Sequence, residues 1–294
     1  MKHELSRRKF IQTSLGAGLS LALFRNMPEF AEMAAKGMKF GFVTYQWGRD
    51  WDLPTLLANC EKAGFLGVEL RVDHAHKVEI NLTPAQRAEV KKRFAGSAVT
   101  CVGYGSNFEF HSPDPEQLKK NIDGTKEYIK LCRDIGATGI KVKPNDIPAS
   151  VPREKTITQI ASALNECGKF AQDYGQLVRV ECHGNISSRI PNMKAIFEQV
   201  TEKNVKMCWN SNNVDTDSPG LEANFNSVKQ YFGDTIHVNE LNGTRNYPYQ
   251  QLFSLLTGMK YKGWVLLEAV TSPDDRIAAM KEQLALFNQM IGKR

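Results

Sequence analysis

Four acidic, amide or imidazole side chains stand where apolar, β-rich runs of the sequence end. Glu181, Asn210, His237 and Glu268 occupy these positions in four successive runs. A charged or imidazole side chain at such a point needs water, a partner or a metal ion, because an unpaired buried charge is costly. Three oxygen donors and one nitrogen donor suit Mn²⁺, Mg²⁺ or Co²⁺ better than a structural zinc site, with Zn²⁺ as a further option. The pattern predicts one divalent metal ion held by these four residues.

The elements that must position these side chains alternate regularly. From residue 37 onward, short apolar runs alternate with longer helical patterns. Eight strands and eight helices in this order predict a single parallel (β/α)8 barrel, a TIM barrel, over residues 37–294. Active sites of such barrels lie at the C-terminal ends of the strands, where the four residues stand. The predicted strands are 39–45, 66–71, 99–104, 139–143, 177–182, 205–209, 235–239 and 264–268, and the predicted helices are 53–63, 84–94, 114–135, 153–174, 190–202, 219–232, 248–259 and 273–290.

A doubly wound open sheet is the competing architecture. Such a sheet would need a Gly-rich phosphate-binding turn after an early strand. The first predicted strand ends instead in Thr44, Tyr45, Gln46 and Trp47. This ending favours the barrel.

Residues 1–36 form a pattern typical of an export signal. The run Ser6-Arg7-Arg8-Lys9-Phe10-Ile11 is a twin-arginine motif, and a mildly apolar stretch follows over 11–24. A basic start followed by a short apolar run is typical of a signal peptide, and the run is too short for a stable membrane span. An amphipathic N-terminal helix is the alternative. We therefore expect an exported, periplasmic protein whose mature domain begins near Gly37.

Charge and cysteine content narrow the classes of partner. The formal net charge is +6, but residues 1–36 contribute six basic and three acidic side chains, so 32 basic and 29 acidic ones remain. No concentrated basic stripe occurs in the remainder, which argues against nucleic acid as a partner. The six cysteines form no C-x-x-C pair and lie within apolar runs or helical patterns, so we expect buried thiols. The sequence is compatible with a homo-oligomer.

The strand endings resemble one family. Over residues 38–290 the chain is similar to the xylose isomerase-like barrels, in particular to the sugar isomerases and epimerases that include ketose 3-epimerases and inosose dehydratase. Glu181-Cys182-His183-Gly184 looks like the E-N-H-G segment of that family, whose Glu binds metal and whose His faces the substrate. His237 and Glu268 match the metal ligands of strands 7 and 8. The resemblance implies that Glu181 and Glu268 act as the catalytic acid/base pair.

One departure from the family pattern concerns strand 6. That strand usually ends in a metal-binding Asp, with a His three residues later, and this chain has Asn210 and Asn213 there. An Asn coordinates through its amide oxygen but brings no charge, so the metal shell holds two carboxylates instead of three. We expect weaker metal affinity and a metal ion that polarises a carbonyl more strongly. The alternative is loss of the metal.

Further polar and aromatic residues are candidates for the substrate. Lys141 and Lys143 alternate on strand 4 and so share a face, from which Lys143 could reach a substrate or form a salt bridge between barrel layers. Tyr45 and Trp47 could form an apolar platform for a sugar ring with Phe108 and Phe110, or simply pack. The pair His74 and His76 is expected to lie in a surface loop. The predicted substrate-binding residues are His183, Asn213, Glu240, Arg245, Lys143, Tyr45 and Trp47, with Arg245 resting on the family resemblance.

Three functions remain compatible with these residues. The first is a metal-dependent sugar isomerase or epimerase that removes a proton next to a carbonyl through an enediolate. The second is a lyase or dehydratase that uses the same site to eliminate a β-substituent from a keto-sugar or a 3-keto-glycoside. The third is a metal-free sugar-binding barrel. An abasic-site endonuclease would need about three zinc ions held by many His and Asp residues, and the chain has 6 His in all. In each remaining case the partner is a small carbohydrate.

Overall fold

Eight parallel strands close into a barrel in sequence order. The computed structural model describes residues 37–292, and each strand pairs with its sequence neighbour while β1 pairs with β8. This confirms the predicted single (β/α)8 barrel. The twin-arginine segment lies outside the described residues, so export stays a prediction. The strands are β1 Lys39–Val43, β2 Gly67–Arg71, β3 Thr100–Glu109, β4 Gly139–Lys143, β5 Leu177–Glu181, β6 Val205–Asn210, β7 Phe232–Val238 and β8 Trp264–Leu267.

A helix follows each strand on the outside of the barrel. Within the described part of the chain, no helix has the length and apolar character needed to cross a membrane. Two short 3₁₀ turns, Asn213–Thr216 and Lys229–Tyr231, flank the sixth helix. The helices are α1 Leu53–Ala63, α2 Pro84–Ala95, α3 Pro115–Ile135, α4 Arg153–Gln172, α5 Ile190–Phe197, α6 Leu221–Val228, α7 Tyr249–Gly258 and α8 Arg276–Met290.

Local signals in the sequence explain several helix boundaries. Thr83 and Gln86 form a capping box at the start of α2, where their side chains satisfy backbone donors that the helix leaves unpaired. Gly64 and Gly136 end α1 and α3 in the left-handed conformation, with φ of 77° and 82°. These turns return the chain to the bottom of the next strand.

Three elements differ most from the sequence prediction. The third strand continues to Glu109, because pairing with β4 extends to Glu109 opposite Lys143. Residues 105–109 contain Phe108 as their one large apolar side chain, so no apolar pattern reveals this extension. Helix α5 ends at Phe197, five residues before the predicted end, and 3₁₀ geometry replaces the last part of the helix predicted over 219–232.

Buried charged groups lie in the barrel interior beside a small apolar cluster, whereas the layer between strands and helices is apolar. The interior apolar cluster is Val43, Val102, Trp264 and Leu266. Arg179 is fully buried at the lower end, where its guanidinium binds both carboxylate oxygens of Asp234 at 2.8 Å and the hydroxyl of Thr138. Two residues along the same strand, and therefore on the same face, Glu181 lies in the upper part of the interior. Between them Val180 faces outward with the apolar core. The fold thus delivers Glu181 to the upper rim.

The six cysteines confirm the sequence prediction. All are free and all are buried, and most of their side chains lie in the apolar layer. They are Cys60, Cys101, Cys132, Cys167, Cys182 and Cys208.

Gly41 and Gly67 allow strands β1 and β2 to approach each other closely. A Cβ atom on Gly41 would lie 2.3 Å from the carbonyl oxygen of Gly67. We expect Gly41→Ala to lower the free energy of unfolding by at least about 2 kcal/mol, since a backbone atom cannot rotate away. Gly258→Ala, where no atom lies within 4 Å, is the control and should be neutral or slightly stabilising. Urea denaturation of both variants tests this, and equal stability would contradict it.

Candidate active site

Three predicted metal ligands converge at the C-terminal end of the barrel. One donor atom from each of Glu181, His237 and Glu268 lies within 4.8 Å of the others. The Nδ1 atom of His237 is 3.5 Å from Glu181 Oε1 and 3.9 Å from Glu268 Oε2. His237 and Glu181 are almost completely buried, while the Glu268 side chain is 15% exposed. The closed barrel therefore brings together residues that are far apart in the chain.

The fourth predicted ligand lies beside this cluster. Asn210 is buried at the end of β6, and its Nδ2 atom donates a hydrogen bond to Glu181 Oε1 at 3.1 Å. The side-chain amide also carries an oxygen that can bind a metal ion. All four residues of the predicted set thus meet at one point.

The donor set fits a divalent cation. Both ring nitrogens of His237 are buried without a hydrogen-bond partner, and unpaired buried polar atoms cost free energy. Its Nδ1 atom faces the two carboxylates, and its Nε2 atom lies 3.4 Å from Glu69 Oε1. A carboxylate behind a metal-binding imidazole fixes the ring and raises its basicity. Two carboxylates, one imidazole and one amide match the oxygen-rich sets of Mn²⁺, Mg²⁺ and Co²⁺, and Zn²⁺ also accepts such donors.

Glu69 is a residue that the sequence analysis missed. It is fully buried in β2, and neither carboxylate oxygen has a hydrogen-bond partner among the described residues. Burial acts to raise its pKa, but His237 and then Lys141 outweigh burial, so the pKa is lowered. The available signal was one acidic residue within the apolar run Gly67-Val68-Glu69-Leu70.

A buried ion pair holds Glu181. The Lys141 ammonium lies 2.5 Å from Glu181 Oε2, and both side chains are 1% exposed. Burial acts to raise the pKa of Glu181, but Lys141 and His237 outweigh it and hold the pKa well below its ordinary value. Lys141 thus forms a salt bridge inside the barrel, while Lys143 lines the cavity described below.

The two catalytic candidates differ in protonation tendency. Burial and the neighbouring charge of Glu181 raise the pKa of Glu268. The pKa of Glu181 shifts in the opposite direction. A pair of carboxylates pushed apart in this way suits one acid and one base.

A cavity of about 240 Å³ opens above the cluster. It brings together four predicted substrate-binding residues with three of the four predicted metal ligands, all except His237. The four are Tyr45, Lys143, His183 and Arg245. Several further residues, among them Arg71 and Asn239, were not predicted from the sequence. The lining is Tyr45, Arg71, Lys141, Lys143, Glu181, His183, Asn210, Asn212, Asn239, Arg245, Glu268 and Val270.

Three predicted substrate-binding residues do not line this cavity. Trp47 is 2% exposed, and its Nε1 atom donates to the carbonyl of Thr271. Glu240 accepts hydrogen bonds from the backbone N–H groups of Val270 and Thr271 and so holds the loop after β8. Asn213 is exposed at the start of a 3₁₀ turn. A strand-end position alone does not reveal which side of the loop a side chain faces.

His183 is prepared as a neutral hydrogen-bonding group. Its Nδ1 atom lies 2.6 Å from Asn145 Oδ1 and donates to it. Burial and the positive charges of Lys143 and Lys141 lower the pKa of His183 to about 4, against the opposing effect of Glu181. The ring is therefore neutral at pH 7, and with its proton on Nδ1 the Nε2 atom can accept a hydrogen bond.

The other aromatic and imidazole candidates do not line this cavity. Phe110 is fully buried, and Phe108 packs on Tyr128 with ring centroids 5.6 Å apart. The expectation of a surface loop for His74 and His76 is wrong, since both are buried. They bond Thr44 Oγ1 and the Arg71 carbonyl, and burial lowers the pKa of each to about 4.

The fold and its site define a family. The model of the xylose isomerase-like TIM barrel family matches residues 57–290. The chain therefore belongs to the xylose isomerase-like TIM barrel family, which confirms the resemblance seen in the sequence.

Solved structures share this barrel at low sequence identity. L-ribulose 3-epimerase superposes with a TM-score of 0.74 at 16% identity, covering 87% of this chain and 95% of that one. The 3-keto-D-glucoside 4-epimerase of E. coli gives 0.72 at 14% identity, with 86% and 99% covered. The IOLI protein with a bound zinc atom gives 0.70 at 17% identity, with 87% and 99% covered. At these low identities, the superpositions show a common fold.

The buried ion pair provides a test of the site. We expect Lys141→Met to lower the free energy of unfolding by about 3 kcal/mol in EDTA, because Glu181 loses its buried counter-charge. The control is Lys119→Met, which removes an exposed ion pair with Asp123 and should leave stability unchanged. Urea denaturation measures both variants. A Lys141→Met protein as stable as wild type would show that the pair does not compensate the charge of Glu181.

Proposed function

We propose that the protein is a metal-dependent sugar isomerase or epimerase that moves a proton next to a carbonyl group. The observation that carries this proposal is the pair Glu181 and Glu268, which lie against one imidazole at a cavity and whose pKa values shift in opposite directions. Two of the three solved structures described above are named as sugar epimerases, which supports the same class of reaction here.

The metal ion would be held by Glu181, Asn210, His237 and Glu268. When bound, a divalent ion supplies a positive charge that polarises the substrate carbonyl and makes the neighbouring C–H group more acidic. Glu69, 3.4 Å from His237 Nε2, would orient the imidazole.

Glu181 and Glu268 carry out different steps of the proton transfer in this proposal. We assign Glu181 as the group that takes the proton from carbon, since Lys141 and Asn210 keep it ionised. Glu268 has a raised pKa and a partly exposed side chain, so it is suited to hold a proton and return it to the opposite face or the adjacent carbon. One C–H bond breaks and one forms, and the product is an epimer or an isomer.

The remaining cavity residues would bind and orient the sugar. The neutral His183 can accept a hydrogen bond from a hydroxyl group through Nε2, and Lys143 can donate one to an oxygen. Tyr45 and Val270 contribute the less polar part of the wall. Such a lining fixes the orientation of a small polar ligand.

Metal content tests the ligand set. We expect the purified domain to bind about one divalent ion per chain after incubation with Mn²⁺, and Glu268→Gln to lose it because a charged oxygen ligand is removed. Glu222→Gln, on the exposed first turn of α6, is the matched control and should keep the ion. Elemental analysis after gel filtration gives the stoichiometry. A wild-type domain that remains free of metal would overturn the proposed chemistry and favour a sugar-binding barrel.

Proton transfer tests the reaction itself. We expect the metal-loaded enzyme to exchange deuterium from D₂O into the carbon next to the carbonyl of a keto-sugar or a 3-keto-glycoside, followed by NMR. Glu268→Gln should slow this exchange by at least about a hundredfold, while Glu222→Gln should leave it unchanged. Release of the glycosidic group from a 3-keto-glycoside, with no epimer formed, would contradict the isomerase and identify a lyase.

A further inference from the structure

A second chamber adjoins the cavity described above. It has a volume of about 270 Å³ and shares two wall residues, Tyr45 and Arg71, with the first cavity. Arg71 therefore stands between the metal site and the second chamber. The lining of the second chamber is Tyr45, Gln46, Arg49, Arg71, Val72, Asp73, His74 and Asn107.

The Arg71 guanidinium is buried without an ion-pair partner. The residue is 8% exposed, and among residues 37–292 its guanidinium makes one hydrogen bond, from Nη2 to the neutral Oδ1 of Asn107 at 2.9 Å. Its Nε atom has no hydrogen-bond partner in the described chain, and the guanidinium carbon lies 5.6 Å from the Tyr45 ring centroid. Among residues 37–292, no carboxylate oxygen lies within 4.0 Å of it. Burial of an unpaired cation is costly, so a ligand that brings negative charge would be stabilised at this position.

The other cations around the cavity differ from Arg71. Lys141 is paired with Glu181, and Lys143 lies 3.9 Å from the carboxylate of Glu109. Arg245 donates to an amide oxygen but is exposed to water. Arg71 is thus the buried cation of this wall that forms no ion pair with a carboxylate of the described chain.

The cavity as a whole carries an excess of positive charge. Four basic side chains and two carboxylates line it, and a divalent ion would add to the excess. On the far side of the second chamber, Arg49 is exposed and has no ion pair with any other described residue. Clefts lined by one sign of charge attract ligands of the opposite sign.

We infer that the substrate is a sugar acid, whose carboxylate binds Arg71 at the entrance to the second chamber while its keto-sugar end lies at Glu181 and Glu268. The planar guanidinium matches a carboxylate with two parallel hydrogen bonds. A phosphate dianion fits less well, because Asp73 lies on the same wall. This inference rests on the proposed function for the reacting end of the substrate and adds the group that selects it.

Binding of D-glucuronate and of its neutral amide, D-glucuronamide, tests the inference. These probes differ in the charge of one group, and calorimetry in EDTA measures both without requiring metal or turnover. We expect wild type to prefer glucuronate, and Arg71→Gln to weaken glucuronate binding by about ten- to a hundredfold with little effect on the amide. Higher salt should reduce the preference. Arg133→Gln, an exposed arginine on α3, is the matched control and should change neither affinity.

Three other results of this binding experiment would overturn the inference. Equal binding of the two probes by wild type, absence of binding by both, or tighter binding of glucose 6-phosphate would exclude a carboxylate site. If Arg71→Gln fails to fold, the wild-type preference still decides, and Arg49→Gln should reduce it by about two- to fivefold. Failure of the proposed function would show instead in metal content and deuterium exchange, which this binding measurement does not use.

Discussion

The site depends on how the barrel compensates the buried negative charge of Glu181. A carboxylate removed from water requires a partner, and here Lys141, Asn210 and His237 surround it. Each partner comes from a different strand, so the arrangement exists only when the barrel is closed. The directions of the pKa shifts at Glu181 and Glu268, and the position of the cavity, all follow from this enclosure.

The interior of the barrel is organised in two charged levels. At the lower end the Arg179 guanidinium pairs with Asp234 and donates to the Thr138 hydroxyl and the Val102 carbonyl. At the upper end Glu69 and His237 retain buried atoms without hydrogen bonds among the described residues. Among these charged groups, the paired Arg179 stabilises the fold, whereas unpaired Glu69 and His237 mark where it can accept a ligand. The contrast separates the structural end of the barrel from the chemical end.

Sequence patterns predicted the barrel and the convergence of the four proposed metal ligands, because strand ends have a fixed place in this architecture. The same reasoning placed His183 and Lys143 at the cavity. It missed Glu69, since a carboxylate in the middle of a strand gives no local sign of which side chains will face it across the barrel. Its partner, His237, lies more than a hundred residues away, and only closure of the sheet brings them together.

Loop residues were the least predictable part of the site. Glu240 and Trp47 have polar or aromatic character suited to a sugar, yet hydrogen bonds to the loop after β8 hold them away from the cavity. Arg71 was overlooked because a basic residue at a strand end has many ordinary roles, and its lack of a counter-charge appears only in three dimensions. Packing between distant parts of the chain determines where these side chains lie. The sequence of a short segment does not reveal that packing.

The burial of the six free cysteines affects the redox conditions under which the fold is stable. Burial raises the pKa of the thiols at Cys60, Cys101, Cys132, Cys167 and Cys182, so few of them ionise to the reactive thiolate at neutral pH. Enclosed thiols also resist oxidants and exchange with other disulfides. The described domain needs no disulfide to hold it together, so its stability should be insensitive to the redox potential of the surroundings.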